Sequence, residues 1–341
     1  MRYLTYAEYM KKKYGEKIYK LPVNLAVSCP NRQSQGNLTS SSFADGTDKR
    51  EQFFSSDCPD GQKHVSGCTF CGAKGAGFEN LSAQLSVTEQ LIKNMEYVGK
   101  RYGAKAFVAY FQNFTNTYLP LEELIDYLEE ALRISQIEEI CISTRPDCVS
   151  DTYLSAVAKA CKKYGKTAVL ELGLQSISHR TLKKINRGHT LAEFIDAVLR
   201  CKKYGLEVCA HLILNLPWDD DSDAVEAAKI LTALGVSQVK LHSLYIEKDT
   251  EFCRQYENAE FQLISAEEYA QRVVLFLEYL SPDICVQRLV SRAPEENTVF
   301  CNWGMSWWRI RDRIDEIMKL GDISQGDRCD YLNRDYYFWN K

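Results

Sequence analysis

The sequence predicts an α/β fold, an open partial (β/α)6 barrel with a C-terminal helical extension, and three observations carry that prediction. From about residue 84 one pattern recurs: an amphipathic helix, a glycine, then a short β-branched run. The runs are apolar almost throughout, which suits parallel strands covered on both faces. Six of them occur, enough to curl a sheet but not to close it.

In chain order, KIYKLPVNLAVS supplies the first strand, directly before a polar, cysteine-bearing stretch. The second is AKAFVAYF, after a helix ending in KRYG. The third is EEICISTRPD, the fourth KTAVLELGL after KKYG, the fifth LEVCAHLIL after a second KKYG, and the sixth VSQVKLHSL after TALG. Gly103, Gly165, Gly205 and Gly235 stand where a helix ends, and the left-handed conformation there turns the chain back into a strand. In such a fold the functional loops lie at the C-terminal ends of the strands.

The barrel is expected over residues 1–280 and the extension over 281–341. Residues 33–66 are rich in Ser, Asp, Gly and Gln without periodicity and read as a loop insertion. NWGMSWWRIRDRIDEIMKL reads as a helix packed on the barrel with its tryptophans in the core, and the final DYLNRDYYFWNK has no clear period.

The 42 Lys and Arg against 46 Asp and Glu give a formal charge of −4. That excludes a global attraction for nucleic acid, so RNA binding must rest on a local basic face. The N-terminus lacks the apolar core of a signal peptide, and no stretch approaches the roughly 18 apolar residues of a membrane span. A soluble, cytoplasmic protein is expected.

Thirteen cysteines in such a chain point to a reducing compartment rather than a disulfide framework. Cys141, Cys161, Cys201, Cys209 and Cys285 sit in apolar runs and read as small core hydrophobes. Cys29, Cys58, Cys68 and Cys71 differ, because they lie in polar, Gly/Pro/Asn-rich sequence. GCTFCG carries a C-x-x-C pair, and Cys29 ends the first strand. Three thiolates on a four-iron cluster leave one iron open to the amino and carboxylate groups of S-adenosylmethionine. By spacing alone a closed four-cysteine zinc site including Cys58 stays open, as does a C-x-x-C redox pair, although no thioredoxin pattern surrounds it.

NLAVSCPNR, GCTFC, YFQNFTNTY, STRPDCV, LELGLQS, LKKINRGH, HLILNLP and KLHSLYI follow one another in an order that resembles the YhcC/YtqA-type radical S-adenosylmethionine proteins. These are relatives of the elongator catalytic subunit and of oxygen-independent coproporphyrinogen oxidase, and the likeness spans about residues 15–320. It implies the partial TIM-type barrel of that superfamily, with Cys29, Cys68 and Cys71 as ligands of a [4Fe–4S] cluster. It implies that Gln112, Asn113 and Thr115 present a backbone turn to the methionine amino group, and that Ser143, Thr144 and Arg145 lie near the nucleoside. Glu171 and Gln175 are then expected to point at S-adenosylmethionine, and Arg187 to pair with its carboxylate through two parallel hydrogen bonds. His211, His242 and Lys240, at the ends of strands five and six, are the candidate catalytic groups.

Plainer readings stand beside these. Arg145 and Asp147 suit a structural ion pair, His189 a brace, and His211 and His242 satisfied core histidines. Lys162, Lys163, Lys202 and Lys203 suit solvated helix faces. Glu171 lies in an otherwise apolar strand, where burial without a partner is costly, which favours a functional role. Two departures from the family pattern are visible. Cys29 and Cys68 are separated by 38 residues, more than the usual spacing, and Cys58 with Cys68 and Cys71 is itself an acceptable ligand spacing. Asn215-Leu216-Pro217-Trp218 stands where relatives show Gly-Leu-Pro-Gly, which puts the loop near the nucleoside in question.

The expected reaction is reductive cleavage of S-adenosylmethionine to a 5′-deoxyadenosyl radical. The resemblance further implies a tRNA substrate, with wobble 5-carboxymethylaminomethyluridine converted to 5-aminomethyluridine, and an electron donor such as flavodoxin or ferredoxin. Lys240, Arg288 and Arg292 would meet its carboxylate or phosphates. A membrane or DNA partner is not expected. A radical enzyme acting on a small molecule or peptide, and a zinc-bearing RNA- or protein-binding barrel, are the alternatives.

Overall fold

A computed structural model of the chain describes residues 1–33, 67–72, 80–292 and 297–332. Cys58 and all but the first residue of the expected 33–66 insertion lie outside these, as does the end of the aromatic tail.

Thr5 and Glu8 form a reciprocal capping box that starts helix α1 (Tyr6–Tyr14). This helix stoppers the base of the barrel. Met10 is fully buried among Ile18, Ala106, Val108, Cys141, Val169 and Cys209, which point inward from the strands. Lys13 anchors it by ion pairs to Glu139 at 2.7 Å and Glu207 at 2.5 Å.

Strand β1 (Ile18–Val23) runs into the short helix α2 (Pro30–Gln33), which carries the first cysteine loop. Helix α3 (Val87–Tyr102) starts at a Ser86–Glu89 capping box and ends at Gly103, whose φ of 65° reverses the chain into β2 (Ala106–Phe111). The unit repeats as α4 (Leu121–Leu132), β3 (Ile137–Thr144), α5 (Asp151–Lys163), β4 (Thr167–Gln175), the short α6 (His179–Lys184), α7 (Leu191–Lys203), β5 (Glu207–Ile213), α8 (Asp221–Leu234) and β6 (Gln238–His242). Each long helix buries one apolar stripe on the sheet, as Leu124, Leu128, Ala131 and Leu132 of α4 do.

The chain continues through β7 (Tyr245–Glu247), α9 (Glu251–Glu257), α10 (Ala266–Tyr279), β8 (Cys285–Arg288), β9 (Thr298–Cys301) and α11 (Trp307–Leu320). The main sheet has seven strands, all parallel, in the order β1-β2-β3-β4-β5-β6-β8. The sequence predicts six. The seventh, β8, is only four residues long and comes from the stretch expected to be extension. β1 and β8 are the two edges of this sheet; the segment before α1 pairs with β8 where the Val286 amide donates to the Leu4 carbonyl.

β7 and β9 pair antiparallel above the mouth. The 302–320 segment forms a helix over Trp307–Leu320 only, after a short 3-10 turn at Asn302–Gly304, and Ile310, Ile314 and Met318 are its buried stripe. Its tryptophans divide: Trp303 packs on the core, whereas Trp307 and Trp308 are 38% and 46% exposed, contrary to the core expectation. Hydrophobic spacing puts the isoleucines, not the indoles, on the inner face. The five cysteines read as core are buried, and the four lysines on α5 and α7 are exposed. No described helix is long and apolar enough to cross a membrane.

Candidate active site at the barrel mouth

The C-x-x-C loop has little secondary structure of its own, so neighbouring backbone fixes it. The Thr69 amide donates to the Ile185 carbonyl at 3.1 Å, and the Thr69 carbonyl accepts from the Phe252 amide at 3.0 Å. The Asn186 side chain donates to the Gly67 carbonyl at 2.7 Å, and Asn31 donates to the Asn186 carbonyl at 2.6 Å. These bonds bring the loop after β1 and the INRGH segment onto Cys68 and Cys71. Gly188 makes that approach feasible: its φ is +74°, and a Cβ there would sit 3.0 Å from Asn31 Oδ1 and 3.1 Å from Arg145 Nη2.

Cys29, Cys68 and Cys71 thus line one side of a cavity of about 230 Å³. Donors surround their sulfurs. Asn31 Nδ2 lies 3.5 Å and Arg187 Nη1 3.6 Å from Cys68 Sγ, and Arg32 Nη1 lies 3.7 Å from Cys71 Sγ. Burial and the neighbouring Cys68 push the Cys71 thiol up to about 11, while Arg32 opposes them. Such a pocket favours thiolates once positive metal charge arrives.

Three thiols facing one cavity, with hydrogen-bond donors at the Cys68 and Cys71 sulfurs, are the soft donor set an iron–sulfur cluster takes, so the residues present suit the cluster.

The ends of β2 and β3 form the next wall, with Gln112, Thr115, Ser143, Thr144 and Arg145 facing the cavity. A residue not singled out within its motif YFQNFTNTY holds that wall: Asn116 is fully buried, and its amide donates to the carbonyls of Phe111, Asn113 and Ser143. Asn113 does not join the lining. Its amide donates to Asn24 Oδ1 at 3.3 Å, and Phe114, next in the chain, is left-handed at φ 52°. Arg145 forms the anticipated ion pair, two 2.9 Å bonds to Asp147, and also donates to the Arg187 carbonyl at 2.7 Å. It both braces the site and lines it.

At the end of β4 the register shifts, and Gln175 adopts a φ of 71° that turns it into the cavity. Arg187 lies across this bulge, its Nε and Nη2 donating to the Gly173 carbonyl at 3.2 and 2.7 Å. His189 braces the same carbonyl from 3.0 Å.

Glu171 also lines the cavity. Its side chain is fully buried and committed to protein partners: Lys20, Lys240 Nζ at 3.2 Å, His211 Nε2 at 2.9 Å and Gln287 Nε2 at 3.3 Å. Burial raises its carboxyl, and Lys20, Lys240 and His211 more than reverse this, holding it well below the usual carboxylate range. It is the keystone of the cavity floor, with no side-chain oxygen left unpaired.

The carboxylate only accepts, so the neutral His211 ring carries its proton on Nε2 and leaves Nδ1 as a lone pair. Burial lowers His211 to about 4 despite Glu171, and lowers Lys240 to about 8. His242 is held well below its ordinary value by burial and then by Arg288. The three candidate catalytic groups stand together on β5 and β6, the histidine rings 5.2 Å apart. Sequence reasoning missed Lys20, Tyr110 and Gln287, inward residues that look unremarkable in single strands. Of the departures, Asn215 and Trp218 leave the cavity untouched: Asn215 accepts from the Leu244 amide at 2.6 Å, and Trp218 packs edge-on against Phe252 and Phe261.

The sequence matches the Radical SAM superfamily over residues 64–231 and the Radical_SAM C-terminal domain over 236–319. Uncharacterized protein YtqA of Bacillus subtilis is 30% identical over 327 residues, 95% of this chain and 92% of its own length. The tRNA uridine(34) acetyltransferase of Methanocaldococcus infernus is 31% identical over 163 residues, 46% of this chain and 29% of that protein. Among solved structures, the archaeal Methanocaldococcus infernus Elp3 superposes with a TM-score of 0.60 at 18% identity, covering 71% of this chain and 61% of that one.

Proposed function

The chain belongs to the radical SAM superfamily, and from that premise we propose that it acts on the wobble uridine of tRNA, converting 5-carboxymethylaminomethyluridine to 5-aminomethyluridine. It is an enzyme that uses a [4Fe–4S] cluster and S-adenosylmethionine. The observation that carries the substrate reading is a cavity lined by Cys29, Cys68 and Cys71 together with Arg288 and Arg292, cations suited to an anionic substrate. The likeness of half the chain to a tRNA uridine(34) enzyme supports the same reading.

Cys29, Cys68 and Cys71 hold the cluster, and Asn31, Arg32 and Arg187 steady the charge on the Cys68 and Cys71 sulfurs. Cluster and cofactor together supply a 5′-deoxyadenosyl radical that takes a hydrogen atom. Gln112, Thr115, Ser143, Arg145, Gln175 and Arg187 form the cofactor wall, fixed by Asn116 and by the Arg145–Asp147 pair. Opposite it, Lys240 is the acid on hand, and His211 Nδ1 a hydrogen-bond acceptor.

The hydrogen removed is that of the methylene between amine and carboxylate, because both neighbours stabilise the carbon radical. Loss of one further electron, to a one-electron acceptor such as an oxidised iron–sulfur protein, and of the amine N–H proton, to His211 Nδ1, would give an imine. Water opens it, the C–N bond breaks, and the primary amine and glyoxylate leave. Nucleoside mass spectrometry of tRNA from a strain lacking the gene tests the reading: 5-carboxymethylaminomethyluridine should accumulate. An unchanged wobble-uridine profile removes it.

A further inference from the structure

Two basic side chains on adjacent strands face the cavity, and they are not equivalent. Lys240 is committed: its Nζ donates to Glu171 Oε2 at 3.2 Å and to the Tyr110 hydroxyl at 3.0 Å. Arg288, its register partner on β8, has no carboxylate at ion-pair distance among the described residues. Its Nη2 donates to His242 Nδ1 at 2.6 Å, and its Nε is closed to solvent without a hydrogen-bond partner. His242 is neutral and brings no counter-charge.

A guanidinium in a cavity wall with no anion and an unsatisfied donor is unfavourable in the free protein. The cost persists where a ligand removes it. Guanidinium geometry selects the ligand, because its planar fork matches the two oxygens of a carboxylate. A phosphate with more than one charge calls for several free cations, and Lys240 is already neutralised by Glu171.

We propose that Arg288 is the anchor for a substrate carboxylate, with His242 positioning its guanidinium. The assignment rests on the wobble-uridine reading for the identity of that carboxylate, the carboxymethylamino arm, but not for its chemistry. It explains why the arm would enter with its methylene between Arg288 and the cysteine side. It also places specificity on β8, the strand that completes the open edge of the sheet.

The test uses the full-length, cluster-reconstituted protein and 13C-labelled N-methylglycine, a mimic of the arm, followed by line broadening. The wild type should bind it in preference to inorganic phosphate. Arg288→Gln should weaken binding about 10- to 100-fold, the range of a charge-assisted contact. Arg288→Lys, which keeps charge but not the fork, should fall between. Iron content and melting temperature show whether each variant is folded. No binding by the wild type, equal binding by Arg288→Gln, or preference for phosphate overturns the anchor. So does an equal loss of S-adenosylmethionine affinity, since Arg288 would then be holding cofactor. If Arg288-dependent binding holds while tRNA bearing 5-carboxymethylaminomethyluridine is not turned over, the wobble reading fails and the anchor stands.

Discussion

Arg187 reaches back over the end of β4 so that its Nη1 lies 3.6 Å from Cys68 Sγ while Nε and Nη2 donate to the Gly173 carbonyl. One side chain thereby ties a cysteine of the proposed cluster to the cofactor wall. Replacing Arg187 by Ala removes a positive charge beside a cluster sulfur, which disfavours the reduced, more negative state. An EPR redox titration should show the cluster potential falling by roughly 60 mV for each tenfold loss in reducibility. An unchanged potential would separate Arg187 from the cluster.

Gly173 is the space into which Arg187 fits. A Cβ there would lie 2.5 Å from Arg187 Nη2 and 2.8 Å from Gln175 Nε2. Both are ends of flexible side chains, so Gly173→Ala should displace them and leave the strand standing. S-adenosylmethionine binding, measured by calorimetry, should weaken at least about tenfold, the worth of one charged hydrogen bond. The melting temperature should move little.

Ligand identity is open to direct assay. Cys29→Ala, Cys68→Ala and Cys71→Ala should each lose most of the iron and all 5′-deoxyadenosine formation after anaerobic reconstitution. Cys58→Ala should keep near the four irons of an intact cluster. The reverse result for Cys29 and Cys58 would reassign the third ligand.

Glu171 neutralises two buried lysines, so Glu171→Gln leaves Lys20 and Lys240 without their counter-ion. Urea unfolding of the apoprotein should show a loss of about 3–5 kcal/mol, the cost of breaking a buried pair from one side. A loss under about 1 kcal/mol would show that the lysines find other partners.

Lys240 sets a pH window. Burial lowers it from its ordinary 10.5 to about 8, so the folded protein gives up this proton at lower pH than the unfolded chain. Between those values the unfolded state binds more protons, and this group's contribution to stability rises with pH. Activity runs the other way if the ammonium serves: kcat/KM should fall as pH climbs through about 8. Lys240→Arg should move that limb upward, and Lys240→Met should abolish it. A limb unchanged in both variants excludes Lys240 as its source.

Six of the seven main-sheet strands were legible: β2 to β6 because each follows an amphipathic helix and is apolar over most of its length, β1 because it runs directly into the cysteine-bearing stretch. β8 was not, since four residues with a polar second half, Gln287 and Arg288, carry no period. In the site, the cysteines and motif-borne residues stood out by composition and order. The motifs did not report which way a side chain turns: the Asn113 amide bonds to Asn24, and Glu171 spends its carboxylate on Lys20, Lys240 and His211.

Local sequence therefore determined the repeating unit, the glycine turns, the buried helix faces and the C-x-x-C pair, all set by interactions within a few residues. Tertiary structure alone decided that Cys29 meets Cys68 and Cys71 across 38 intervening residues, and that Lys20, Glu171, His211 and Lys240 share one floor. A strand's alternation says which side chains point inward. Only the curl of the sheet sets which charges from different strands become neighbours, and among the described residues it leaves Arg288 with His242 and no carboxylate at ion-pair distance.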